Sequence, residues 1–87
     1  MLFIFSGPGN YGFWMKDMKF ALDLVWIRDG KVAGVTENVP PPAPGTRLWS
    51  LPIYYPPENA DQILEVNAGT VAREGIKAGD AVSLSRD

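Results

Sequence analysis

The sequence predicts a mainly β fold: one compact barrel-like or sandwich-like domain, residues 1–87, with one short helix. Three features carry this expectation. Short apolar runs recur between Gly- and Pro-rich turn signals. Asp29-Gly30 lies between two apolar segments, where a tight hairpin needs two residues at positive φ. Only Ala68 to Glu74 combines helical spacing with a following glycine, Gly75, suited to the left-handed C′ position.

Leu2 to Phe5 reads as a strand closed by Ser6-Gly7-Pro8-Gly9-Asn10. Because an apolar strand on an open edge invites association, it is expected inside the sheet or paired with another chain. Phe13 to Phe20 is rich in aromatics and Met, and either an extended or a helical conformation fits its pattern. If it is extended, Phe13, Met15 and Asp17 share one face and Trp14 and Lys16 the other. Phe13 and Met15 would then suit the core, leaving Trp14 beside Lys16 with Met18 next along. The opposing possibility is a strand buried on both faces, with Trp14 filling the core and Lys16 reaching out to solvent.

The Asp29-Gly30 turn sets Ile27 opposite Val32, Trp26 opposite Ala33, Val25 opposite Gly34 and Asp23 opposite Thr36. Trp26, in mid-strand, is expected in the core. Gly34 marks a bulge or a close backbone approach. Asn38 to Gly45 has prolines at four of its eight positions and therefore forms a surface strap of polyproline character. Its Pro41 and Pro44 satisfy a PxxP spacing that is too common to carry weight. Pro52 to Pro57 is expected to be edge or irregular structure bearing Tyr54 and Tyr55. Gln62 to Val66 is a strand, and Ala81 to Ser85 alternates as a one-face-buried strand does.

Composition narrows the function. A chain of 87 residues supports one core, and its 46% hydrophobic and 21% charged residues suit a folded domain that stays in water, without membrane insertion. Eight basic against ten acidic residues, with the signs interspersed, give a net charge of −2 and no basic stripe. Nucleic acid is therefore not the expected partner. With neither Cys nor His, thiolate and imidazole chemistry, disulfides and the usual zinc sites are excluded, and no cofactor or metal motif is present. Met1 to Phe5 has no charged leader and too short an apolar run for a signal peptide.

No catalytic motif stands out, and the expectation is a binding module rather than an enzyme. The candidate surface is Trp14, Lys16, Asp17, Met18 and Asp23, with Tyr54 as a further stacking face for a small molecule, sugar or protein. Two alternatives stay open. One is a carboxylate enzyme using Asp17 or Asp23 as acid or base beside Lys16. The other is a structural or protein-interaction domain in which these aromatics are core.

The segment after the helix, Ile76-Lys77-Ala78-Gly79-Asp80-Ala81-Val82, resembles the helix-to-strand element of double-psi and swapped-hairpin barrels. More broadly, several motifs in order resemble the domain of unknown function 192 family of bacteria and archaea. They are Phe13-Trp14-Met15-Lys16-Asp17-Met18, Leu22-Asp23 with its apolar strand, Asp29-Gly30, Glu37-Asn38-Val39-Pro40, Leu64 to Gly69 and Gly75 to Asp80. The resemblance covers essentially the whole chain. It implies a mostly β fold with one short helix, no established activity, and an exported or periplasmic setting in many bacteria. Asp17 stands where the family usually carries Asn, and the cysteines many members have near Pro42 to Ile53 are missing. The family pattern also begins upstream of Met1, so the expectation is a chain lacking that segment.

Overall fold

In the computed structural model, residues 1–9 and 11–83 are described. Six strands run in chain order: β1 Leu2–Gly9, β2 Phe13–Trp14, β3 Leu22–Arg28, β4 Lys31–Val39, β5 Ile53–Tyr54 and β6 Ala60–Asn67. They are followed by one helix, α1, Thr70–Glu74. An antiparallel four-stranded sheet has the order β1-β6-β3-β4, and β2 and β5 form a separate two-stranded ribbon. The fold is mainly β, but its sheets do not close into a barrel; the ribbon packs on one face of the main sheet as a second layer.

β3 is central because its run is apolar on both faces, as a strand covered on two sides requires. Leu24 and Trp26 join Met15, Val39, Ala60 and Ile63 on the ribbon side. On the other face Val25 and Ile27 meet Val32 and Val71, so α1 packs there. Ile76 reaches that second cluster, past Gly75 at φ 65°. The segment from Gly75 to Asp80 thus acts as cap, apolar plug and turn, the Asp80 carboxylate accepting from the Lys77 N–H at 2.9 Å.

The hairpin turns at Asp29 (φ 51°) and Gly30 (φ 72°), and Ile27 faces Val32 as expected. Beyond that pair the expected register fails by one residue: Trp26 faces Gly34, Val25 faces Val35, and Leu24 rather than Asp23 faces Thr36. The cause is a bulge between Ile27 and Trp26, where Ala33 is the extra residue of β4. The close approach read into Gly34 is real, since the Pro57 ring occupies the place a Cβ would take.

Of the two placements expected for Leu2 to Phe5, inside the sheet or paired with another chain, the first is not found: among the described residues β1 pairs only with β6 and forms an edge, with Ile4 and Met1 largely exposed. The opposite edge, at β4, is covered instead by the segment after α1, through Gly79 N–H to Val32 O and Val32 N–H to Asp80 O, both 2.8 Å. Val82 N–H also donates to Gly30 O at 2.7 Å. Of the strand expected at Ala81 to Ser85, Ala81 forms an isolated bridge to Lys31, and its end lies outside the described residues. Of the strap expected from Asn38 to Gly45, Asn38 and Val39 instead belong to β4, Val39 pairing with Leu22, because the prolines begin only at position 40; the rest is non-strand, folded back by a turn in which Thr46 N–H donates to Ala43 O at 3.0 Å. Among the described residues, no helix is long and apolar enough to cross a membrane.

Glu65 of β6 is the exception in this packing. It is buried opposite Leu24, and its Oε2 has no hydrogen-bond partner. Loss of hydration raises its pKa above the ordinary glutamate value, against a smaller opposing pull from the chain's amino terminus. The folded state therefore holds the Glu65 proton more tightly than the unfolded chain does. The corresponding stability is fully present below the unfolded value and is lost as pH rises through the folded one. Glu65→Gln should accordingly be more stable than the parent at pH 7 by about 1 kcal/mol, with the advantage shrinking on acidification toward the ordinary glutamate range. Urea unfolding across that range measures it.

Candidate functional site

The two-residue ribbon fixes the central aromatic. Phe13 pairs with Tyr54, Trp14 pairs with Ile53, and side chains alternate along each strand. Phe13 and Tyr54 consequently turn inward against the core, while Trp14 and Ile53 remain exposed, Trp14 at 40%. Gly12 permits this, since a Cβ there would meet Ile53 Cγ2 at 2.5 Å. Met15 is buried and clamps the next position. Trp14 is thus an exposed indole between a half-buried Phe13 and a buried Met15.

Lys16 lies on the outer side with its Nζ 5.9 Å from the Trp14 ring centre, within cation–π range. The chain then reverses, Met18 N–H donating to Met15 O at 3.0 Å with Asp17 at φ 62°. A positive φ at the third position of such a turn favours Gly or Asn. Asp17→Gly is expected to stabilise by about 0.5–1 kcal/mol and Asp17→Val to destabilise by about 1–2 kcal/mol, read from urea midpoints.

Three hollows adjoin this ridge. One of about 360 Å³ is floored by Ile63 and walled by Phe3, Phe13, Trp14 and Met18. A second of about 430 Å³ lies between Lys16, Asp17 and Lys19 and the proline strap, closed by Leu48 and Leu51. Lys16 and Met18 line both. The third, about 350 Å³, sits between Trp14, Ile53 and Tyr55.

The sequence-predicted residues divide. Trp14, Lys16, Asp17 and Met18 are together, and Tyr54 lies behind them, half-buried in the ribbon's inner face. Asp23 does not join them. It projects with Val25 and Ile27 to the helix side of the sheet and is fully buried. Its Oδ1 accepts from Asn38 N–H at 2.9 Å, and its Oδ2 from Gly69 N–H and Val71 N–H at 3.0 Å each. That carboxylate caps α1 from a neighbouring strand, because the helix's own N-cap, Gly69, has no side chain to do so.

Phe3, Lys19, Ile53, Leu48 and Leu51 also belong to the surface and were not singled out. Ile53 had a readable signal in its alternation with Tyr54, masked by the flanking prolines. The others reach the ridge only through tertiary folding. Among the described residues no cluster of acidic side chains is placed to hold a metal ion.

Comparison with solved structures finds a Sinorhizobium meliloti protein described as "a putative transcription regulator", 34% identical, with a TM-score of 0.79. The match covers 93% of this chain and 58% of that one, so this chain spans less than two thirds of its length. No curated protein matches. The family profile of DUF192, described as uncharacterized ACR, matches residues 1–84, and the chain belongs to that family.

Proposed function

We propose that this domain is a binding module and that the Trp14–Met18 ridge, with the hollows beside it, is its site. The single observation that carries the reading is Trp14 itself: a large aromatic left exposed while Phe13 and Met15 on either side are drawn into the packed core. Immobilised by those neighbours, the indole offers a stacking surface whose ordering cost is already met by folding. Hollows of this size fall within the range of small-molecule sites. The apolar neighbours Phe3, Ile53 and Tyr55 extend the surface beyond one ring.

A carboxylate enzyme has less support. Both Asp23 oxygens are occupied by backbone N–H groups, and Asp17 stands exposed at a turn tip, outside any enclosed cavity. Transcriptional regulation, the description of the Sinorhizobium protein, is not carried over, since the net charge is −2 and that protein extends well beyond the matched region.

The test is an amide chemical-shift titration of the chain against sugars, nucleotides, short peptides and metal ions in turn. Shifts are expected to cluster at Gly12 to Lys19 and in the strap. Perturbation confined to the helix side of the sheet, or none with any member of the panel, would sink the reading.

A further inference from the structure

We infer that the ligand of this ridge is a small amphipathic anion, one apolar body bearing one acidic group; the inference rests on the binding-module reading above. The two hollows that share Lys16 and Met18 differ in character. The one floored by Ile63 is walled almost wholly by hydrocarbon and aromatic rings, Phe3, Phe13 and Trp14, so it favours an apolar body. The other opens between Lys16 and Lys19. Among the described residues, the ion pairs are Arg28 with Asp29, Arg73 with Glu74 and Lys77 with Asp80, which leaves both ridge lysines available.

Asp17 lies between those lysines and offsets one of them, so the ridge from Lys16 to Lys19 carries a net single positive charge in a chain of net −2. A single acidic group is what that charge matches. Lys16 also spans the two hollows, its ammonium near the Trp14 ring and its stem shared by both walls. A ligand whose ring or chain lies against Trp14 and Ile63 can thus place its acid over the ridge toward Lys16 and Lys19. A neutral sugar or a neutral apolar molecule can lie against the rings but leaves the lysines unused.

The experiment titrates the intact chain with anilinonaphthalene sulfonate and, separately, with its uncharged counterpart phenylnaphthylamine, following probe fluorescence and mapping amide shifts. The sulfonate should bind more tightly than the neutral probe, with shifts at Gly12 to Lys19. Lys16→Gln combined with Lys19→Gln should weaken the sulfonate about fivefold, as two exposed ion pairs do, and leave the neutral probe unchanged. Trp14→Ala should weaken both. Equal binding of the two probes, or a double lysine variant that holds the sulfonate like the parent, overturns the anionic class while the site stands. Failure of both probes to shift the ridge, or Trp14→Ala binding both like the parent, overturns the site itself. Circular dichroism of each variant confirms that the fold is intact.

Discussion

Asp23→Ala is expected to lower stability by about 3–5 kcal/mol, one of the largest single effects in the molecule. The substitution strips three backbone donors, Asn38, Gly69 and Val71, of their acceptor at once. Each buried donor left unpaired costs about 1–3 kcal/mol, and partial access of water at Asn38 and Gly69 keeps the sum toward the lower part of that range. The loss is also structural. A five-residue helix is far below the length that holds itself together in water, so α1 persists through its ties to the sheet, and Asp23 is the polar one. Asn38, at φ 53°, is fixed by the same carboxylate where β4 ends. Asp23→Asn, which keeps the shape but turns an amide N–H₂ toward donors, should cost about 2 kcal/mol. Urea unfolding gives the totals, and hydrogen exchange at the Val71 amide should quicken in both variants. A loss under about 1 kcal/mol for Asp23→Ala would mean that water replaces the carboxylate and that the cap is incidental.

Trp26→Ala is expected to cost about 3–5 kcal/mol, whereas Trp14→Ala should cost about 1 kcal/mol or less. Trp26 is fully buried at the centre of the larger core cluster, and its indole Nε1–H donates to Thr36 Oγ1 at 3.0 Å. Removing it opens a cavity between β3 and the ribbon. Trp14 is 40% exposed and touches its surroundings on one side only. The same substitution at two tryptophans thus separates a packing role from a surface one. A loss at Trp14 as large as that at Trp26 would make Trp14 core and remove it from the proposed site. Parallel urea curves, with Trp49→Phe as the background to silence the most exposed indole, provide the measurement.

Much of this was legible from local chemistry alone. Asp29-Gly30 specified a hairpin because both of its residues tolerate positive φ, and Gly75 ended the helix for the same reason. The apolar run of β3 called for burial on both faces. For Phe13 to Lys16 local chemistry left a helix and a strand buried on both faces open beside the extended reading; the structure selects the extended one, with Phe13 and Met15 turned to the core and Trp14 and Lys16 outward.

Tertiary structure decided the rest, where the determining contact joins residues distant in the chain. Asp23 reads as an exposed carboxylate beside a lysine-rich stretch; it is a buried cap because Gly69, 46 positions away, lacks a side chain to serve its own helix. The hairpin register shifts by one at the bulge at Ala33, next to Gly34, on which the Pro57 ring packs, a contact between distant residues that turn chemistry does not contain. β1 is an edge because it pairs with β6 alone, and only strand order settles which strand lies outermost. By itself the sequence determined the hairpin and the helix, because those follow from dihedral preference. The ridge with its two dissimilar hollows, built from Phe3, Met18, Lys19, Leu51 and Ile63, was decided by the tertiary structure, because only packing of the ribbon and strap on the sheet brings those side chains together.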